Sequence, residues 1–241
     1  FRRPAFNGVS AVAFALSAGM FAILLYITIY LQGVLDYSPL EAGVRFLPLT
    51  LLGFLVAPIS GSLSHRVPIR VLLGVGLTLV GVGLLSMHGV APGDGWTTLL
   101  VGFLLAGIGI GTTNPGIGQA AIAVVPVEKS GMGSGINTTF RQVGIATGVA
   151  GLGAVFQSRV DSKLHELVPN APEGLGEVVA SGGSRAVAEL PLPPLLHEKA
   201  VHAADVAFVS GFNTILLIAA IISFVGAAAG FLLTRSKDLV Q

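Results

Sequence analysis

Runs of consecutive apolar residues, each about as long as a bilayer-spanning helix, dominate this chain and decide what it can fold into. Charged residues make up only 10% of the 241 residues, against about 25% in a soluble domain, and they cluster between the runs. A chain with so few charges cannot cover a water-exposed surface. The sequence therefore predicts an integral membrane protein built from helices.

Six of the runs are long enough to cross the hydrocarbon core, which takes about 20 residues of helix. The predicted spans are residues 9–31, 44–63, 71–87, 99–125, 133–156 and 208–233. The predicted fold class is an all-α membrane protein with six transmembrane helices. Five helices lie in residues 1–156, an extracytoplasmic loop covers 157–206, and the last helix with a short cytoplasmic tail covers 207–241.

The placement of Lys and Arg predicts the orientation, because short cytoplasmic loops carry an excess of both. With the N-terminus inside, the short outer connections hold only Arg45. The cytoplasmic side then holds Arg2, Arg3, Arg66, Arg70, Lys129, Arg235 and Lys237. Both termini are predicted to be cytoplasmic. The proline-rich loop 157–206 is expected to form marginal helices, because it is too short to bury a core of its own.

Several function classes are excluded. A net charge of +1 without basic runs argues against nucleic-acid binding, and the absence of Cys removes disulfides and thiolate zinc sites. His197 and His202 are five residues apart, whereas the zinc-protease helix needs four. Ser134 lacks the glycine pattern of a serine nucleophile. We predict neither an enzyme nor a metal site.

Two glycine pairs with a spacing of four residues occur inside spans: Gly107 with Gly111, and Gly144 with Gly148. Small residues at this spacing let helix backbones approach closely in a membrane. Close helix packing is the plain interpretation. Pro115, which interrupts the hydrogen-bond ladder of its span, leaves open a water-filled cavity beside the helix instead.

Arg141 is the one fixed charge that lies well inside a predicted span. A buried charge in a membrane is a candidate functional residue, and Asn137 with Gln142 could line a polar cavity beside it. The alternative is that the side chain reaches back to the cytoplasmic interface. Tyr26 and Tyr30 lie one helical turn apart and could line such a cavity, or belong to the core or the interface.

Four segments resemble the major facilitator superfamily, in particular its fourteen-span EmrB/QacA-type drug:proton antiporters. They are YLQGVLDYSPLEAGVRFLPL, GSLSHRVPIR, GIGIGTTNPGIGQAAIAVVP and GSGINTTFRQVGIATGVAGLGAVF. The second is similar to the cytoplasmic loop of the superfamily at Gly61, Leu63, Arg66 and Arg70, but His65 replaces its acidic residue and Pro68 its glycine. The resemblance covers the whole chain and only the C-terminal half of the family.

The resemblance implies half of a major facilitator fold, with the six spans forming a 3+3 inverted repeat. It implies export of hydrophobic, often cationic compounds by alternating access, with the proton gradient as energy source and no cofactor. The expected location is the bacterial cytoplasmic membrane. The expected partners are the lipid bilayer, small substrates and the N-terminal half of the same transporter. All acids lie in loops or at span ends, so the proton-coupling carboxylates are expected in that other half.

Two sets of candidate residues follow from these arguments. The substrate-cavity candidates are Tyr26, Tyr30, Asn114, Asn137, Phe140 and Arg141. The gating candidates in the cytoplasmic loop are Gly61, Arg66 and Arg70. Two alternatives to the exporter half remain: a six-span half-transporter that forms a homodimer, and a membrane module that assembles with a partner without transporting anything.

Overall fold

Eight α-helices make up the part of the chain that a computed structural model describes, namely residues 4–64, 66–123, 130–169, 171–172, 174–190 and 194–234. They are α1 (Pro4–Ile29), α2 (Pro39–Arg45), α3 (Leu47–Leu63), α4 (Ile69–Ser86), α5 (Leu100–Ala123), α6 (Ser130–Leu167), α7 (Leu175–Ala188) and α8 (Pro194–Leu233). A π-helical turn, Tyr30–Val34, continues α1, and a 3-10 turn, Trp96–Leu99, leads into α5.

The helices confirm an all-helical chain with several membrane spans. In the described ranges, five helices are long and apolar enough to cross a bilayer. The number is six if α2 and α3, which meet at an angle of 42°, are counted as one bent span. A capping box starts α2: Ser38 Oγ accepts a hydrogen bond from the Glu41 amide at 3.3 Å, and the Glu41 carboxylate accepts one from the Ser38 amide at 2.9 Å.

Both glycine pairs lie where two helices cross, which confirms the packing interpretation. A Cβ atom at Gly107 or Gly111 of α5 would collide with the backbone of α3, at Leu49 and Gly53. Gly144 of α6 faces the Phe14 carbonyl of α1 in the same way, and Gly148 faces the backbone of Ala18. Since lipid supplies no hydrophobic drive between helices, this close backbone contact is what holds them together.

The segment 157–206 differs from the sequence prediction of a loop with marginal helices. Residues up to Leu167 continue α6, α8 already begins at Pro194, and α7 lies between them. Apolar side chains of all three pieces are buried in the core: Val160, Leu164, Val179, Val187, Ala203 and Ala204. The prediction was wrong because it treated the segment alone, whereas α7 packs on helices that extend from the spans. We call residues 157–190 and 194–206 the helical cap, of which the described part excludes 170 and 173.

The helical cap packs against the end of α1 and is bonded to it. Gly183 has φ +68°, which only glycine adopts without strain, and this kink brings α7 against the backbone of Gly33. Ser184 Oγ donates a hydrogen bond to the Gly33 carbonyl at 3.3 Å. An ion pair of 2.9 Å joins Arg185 to Asp36 just beyond the π-helical turn. The cap and the end of α1 therefore hold one another.

Asn213 of α8 fixes the connection that follows α4. Its Oδ1 accepts a hydrogen bond from the Gly89 amide at 2.8 Å, and its Nδ2 donates one to the Val90 carbonyl at 2.8 Å. We expect Asn213→Ala to lower the free energy of unfolding by about 1–2 kcal/mol, because both backbone groups lose a partner. The thermal midpoint of the purified protein in detergent measures this loss.

Thr214→Ala is the matched control, since its hydroxyl bonds only to the Ser210 carbonyl of the same helix, at 2.9 Å. It is expected to leave the thermal midpoint nearly unchanged. Equal midpoints for the two variants would contradict a role for Asn213 in fixing the connection.

Candidate functional site

A groove of about 320 Å³ opens between α1, α3, α5 and α6. Most of its wall is apolar, which is typical of ligand pockets with a few polar groups. The polar residues are Ser17, Thr50, Asn114 and Arg141. The apolar and small ones are Leu16, Met20, Phe21, Leu24, Leu49, Gly53, Phe54, Ala57, Ile110 and Gly111.

Three polar groups of the groove lack hydrogen-bond partners among the described residues. The Ser17 hydroxyl and the Asn114 side-chain carbonyl are both buried and unpaired. Arg141 lines the same groove without an ion pair or a hydrogen bond to the described residues. An unpaired buried polar group costs about 1–3 kcal/mol, so the two buried groups, Ser17 and Asn114, indicate a place that water or a ligand completes.

Arg141 lies 11 residues after the start of α6, which corresponds to roughly 16 Å along the helix. Its side chain lines the groove together with Asn114 of α5. Whether this side chain serves a cavity or reaches the interface stays a prediction. No Asp or Glu lines the groove, so among the lining residues the guanidinium carries the only full charge.

Asn114 precedes a proline that α5 tolerates without breaking. Pro115 has no amide proton, so the Gly111 carbonyl loses its donor within the helix. The Ser60 hydroxyl of α3 donates a hydrogen bond of 2.8 Å to the Thr112 carbonyl, one residue further along. A neighbouring helix thus supplies a polar partner beside the gap, as membrane helices with an internal proline require.

Two other cavity candidates lie on α6 outside the groove lining. Asn137 is 6% exposed, and its Nδ2 has no hydrogen-bond partner among the described atoms. Phe140 directly precedes Arg141 and is half-buried. Both are within one helical turn of Arg141. Their participation in substrate binding remains a prediction.

Tyr26 and Tyr30 lie in an aromatic cluster with α6 and α8 and not in the groove. The Tyr26 ring is 4.2 Å from that of Phe156, and the Tyr30 ring stacks on Phe212 at 5.4 Å between centroids. The Tyr30 hydroxyl donates a hydrogen bond of 2.9 Å to the Asp94 carbonyl. The physical reason is rotation around α1: the groove takes residues 16, 17, 20, 21 and 24 of this helix, which lie on another face.

The gating candidates lie at the junction of α3 and α4, apart from the groove lining. Gly61 is half-buried in the last turn of α3, and Arg70 is exposed in the first turn of α4. Arg66 is exposed between the two helices. Neither arginine forms an ion pair with the described residues. His65 lies outside the described residues.

Sequence reasoning missed the contribution of α3 to the groove. Thr50, Gly53, Phe54 and Ala57 follow one another at helical spacing on a single face. Phe54 is 76% exposed, which is unusual for an aromatic side chain in a packed helix. The pattern of small, polar and aromatic residues on one face of an apolar span was the available signal. The sequence around Ser17 shows no comparable pattern that would have predicted its place in the groove.

Next to the groove, α6 exposes a row of polar side chains. Thr138, Thr139 and Gln142 are all exposed in the apolar part of the helix, and they lie within about 100° of one another around it. The Thr139 hydroxyl donates only to the Gly135 carbonyl of its own helix, at 3.0 Å. We call this row the polar face of α6.

Comparison with known proteins agrees with a transporter. The model of the Major Facilitator Superfamily matches residues 1–149. The tetracenomycin C resistance and export protein of Streptomyces glaucescens is 27% identical over 94% of this chain and 43% of its own length. The multidrug efflux pump LfrA of Mycolicibacterium smegmatis is 28% identical over 87% of the chain and 42% of its own length. The puromycin resistance protein pur8 of Streptomyces alboniger is 36% identical over 57% of the chain.

The chain spans less than half of the length of these relatives. Its helices are apolar enough for a multi-pass membrane protein, which places it in contact with the lipid bilayer. The family match covers more than half of the chain. The chain therefore belongs to the Major Facilitator Superfamily, whose members are membrane transporters and not enzymes.

Proposed function

We propose that this chain is the C-terminal half of an EmrB/QacA-type exporter, which removes hydrophobic, often cationic compounds from a bacterial cell in exchange for protons. The observation that carries the proposal is the groove, which holds the buried, unpaired groups of Ser17 and Asn114 and the charge of Arg141, next to the polar face of α6. An apolar wall with a few polar groups suits the binding of such compounds.

The polar face of α6 supports a missing second half. Polar side chains in membrane helices face protein or a water-filled cavity and avoid lipid. Thr138, Thr139 and Gln142 meet neither within this chain, since they are exposed. A preceding half that packs opposite α6 would enclose both this face and the groove, and would turn them into one side of a central cavity.

The pairing of the helices supports a 3+3 inverted repeat. Taking α2 and α3 as one span, the first triplet is α1, α3 and α4, and the second is α5, α6 and α8. Under this exchange α1 corresponds to α5, α3 to α6 and α4 to α8. The contact of α1 with α6 then corresponds to that of α5 with α3, and the contact of α4 with α5 corresponds to that of α8 with α1. Each glycine pair lies in one of the two interfaces that this exchange relates, that of α5 with α3 and that of α6 with α1.

The distribution of charges supports cytoplasmic termini in the bacterial cytoplasmic membrane. The junction of α3 and α4 holds Arg66 and Arg70, whereas Asp36, Glu41 and Asp94 lie in or near connections at the other end of the spans. Lys and Arg concentrate on the cytoplasmic side of membrane proteins. With six spans, both termini lie on the side of the two arginines.

Proton coupling is assigned to the other half. A proton carrier needs a group that changes its protonation within the membrane pathway, and arginine does not. The groove has no acidic residue in its lining. The chain would thus contribute part of the substrate site and some of the helices that move during alternating access, with the proton gradient as the energy source.

A tag placed after Gln241 in the chromosome tests whether the chain is half of a longer protein. We expect a membrane product of roughly twice the 24.5 kDa of this chain, in line with the length of its relatives. A stable product of 24.5 kDa would contradict the proposal and favour the homodimer or the assembly module.

Cysteine labelling tests the cavity itself, because the chain has no Cys of its own. In the complete protein, we expect Gln142→Cys to react with a small water-soluble maleimide, and a transported cation to protect it. Leu217→Cys is the control, because it lies on the exposed apolar side of α8, where Leu217 is 41% exposed. Export with no protection at position 142 would contradict a cavity on the polar face of α6.

A further inference from the structure

The helical cap contains a second cavity of about 1030 Å³, which is open on one side and has roughly three times the volume of the groove. Its walls come from the end of α6, the connection to α7, α7 itself and the first turns of α8. The lining is formed by Leu167, Val168, Pro169, Pro172, Gly174, Leu175, Val178, Leu190, Lys199, Ala200, His202, Ala203 and Val206. None of these residues belongs to the groove.

Local backbone structure shapes the described walls of the cavity. Pro169 and Pro172 stiffen the connection after α6, and Gly174, with φ +87°, turns it into α7. His197 donates a hydrogen bond of 2.9 Å to the Ala188 carbonyl and so ties the end of α7 to α8. On the α8 side the wall carries the small residues Ala200 and Ala203.

The wall of this cavity is mostly apolar with a few polar groups, which is typical of ligand pockets. Leu167 is 42% exposed, although it lies on a packed helix, because it faces this space. Ligand pockets typically measure about 300–1,000 Å³, so the volume suits a molecule with a long hydrocarbon chain. Each methylene group that such a chain buries contributes about 0.8 kcal/mol.

The polar part of the lining is basic. Lys199 and His202 are three residues apart, on one face of α8, and both are exposed. Neither pairs with a carboxylate of the described residues. The acids of the same stretch of helix, Glu198 and Asp205, are not part of the lining. The ammonium group and an imidazole N–H are donors that suit a carboxylate.

We propose that the helical cap binds a single-chain amphipathic carboxylate, with the hydrocarbon chain among the apolar residues of the cavity and the carboxylate at Lys199 and His202. This ligand class differs from the hydrophobic cations of the proposed export function, and the site does not depend on that function. Through the contacts of α7 with Gly33 and Asp36, an occupied cap would stiffen the end of α1.

The test uses the complete protein in nanodiscs of phosphatidylcholine, with radiolabelled palmitate as the probe and hexadecyltrimethylammonium as a cation of equal chain length. We expect saturable palmitate binding that the cation does not displace. Ala203→Trp, which fills the cavity, should abolish binding. Lys199→Glu should weaken it at least tenfold, and it keeps the test decisive if the tryptophan variant does not fold.

Lys163→Glu is the matched control, because Lys163 lies on α6, pairs with Glu166 at 2.8 Å and does not line the cavity. It should bind palmitate like the wild type. Three results would overturn the proposal: equal binding of the cation, unchanged palmitate binding by Lys199→Glu, or displacement of palmitate by phosphatidylglycerol, which would indicate a two-chain phospholipid instead.

Discussion

Arg141→Ala is expected to abolish export by the complete transporter while the amount of protein in the membrane stays unchanged. The guanidinium lines the groove without a carboxylate or carbonyl partner among the described residues, so the fold does not depend on an ion pair there. Its removal leaves the groove without a fixed charge among its lining residues. Efflux of a fluorescent cation from whole cells, normalised to the tagged protein in membranes, measures the effect.

Two further variants make the Arg141 experiment specific. Arg159→Ala removes an arginine from the same helix, but Arg159 is exposed and lies outside the groove, so normal export is expected. Arg141→Lys keeps the charge but loses the planar fork of donors. This variant should therefore retain at most part of the export activity of the wild type. Normal efflux by Arg141→Ala would remove this residue from the substrate site.

The second large effect is expected for Gly148→Leu, which should prevent stable packing of α6 on α1. A Cβ atom at position 148 would meet the backbone of Ala18, and backbone atoms cannot turn away as a flexible side chain can. Overpacking a tight contact typically costs about 1–3 kcal/mol, and a clash with backbone lies at the upper end. The thermal midpoint in detergent, followed by size-exclusion chromatography, reports the loss.

Gly151→Leu provides a control on the same helix, because a Cβ atom at Gly151 would have no neighbour within 4 Å. This variant carries the same change in side chain and in helix propensity, so any difference comes from the contact with α1. If both leucine variants melted at the same temperature, close packing at Gly148 would play no part in stability.

Much of the fold could be predicted from local patterns. The apolar runs predicted the helices, and the four-residue spacing of Gly144 and Gly148 predicted a close crossing, because both signals lie in neighbouring residues. The identity of the partner helix was not predictable from such spacing, since it depends on how distant segments meet. The same limit explains the helical cap: Val179 is buried by other helices and not by its own segment.

The candidate site was predictable only in part. Arg141 and Asn114 stood out as polar groups in apolar spans, and the groove brings them together. Tyr26 and Tyr30 shared a helical face, but the sequence did not say whether this face meets the groove or the aromatic side chains of α6 and α8. Phe54 and Thr50 share one face of α3, which the sequence pattern showed, but this face meets the groove because α3 packs beside α5, which no local pattern encodes.

The length of α6 and α8 has a mechanical consequence. Each is one continuous helix, of 38 and 40 residues, or roughly 57 and 60 Å, so each continues well beyond a hydrocarbon core of about 30 Å. A rigid rod that tilts in the membrane moves its free end furthest. A tilt of about 10° would displace the end of a 27 Å extension by roughly 5 Å. The two helices would therefore transmit a tilt of the bundle to α7 as a displacement, and this displacement is large enough to be measured from outside the membrane.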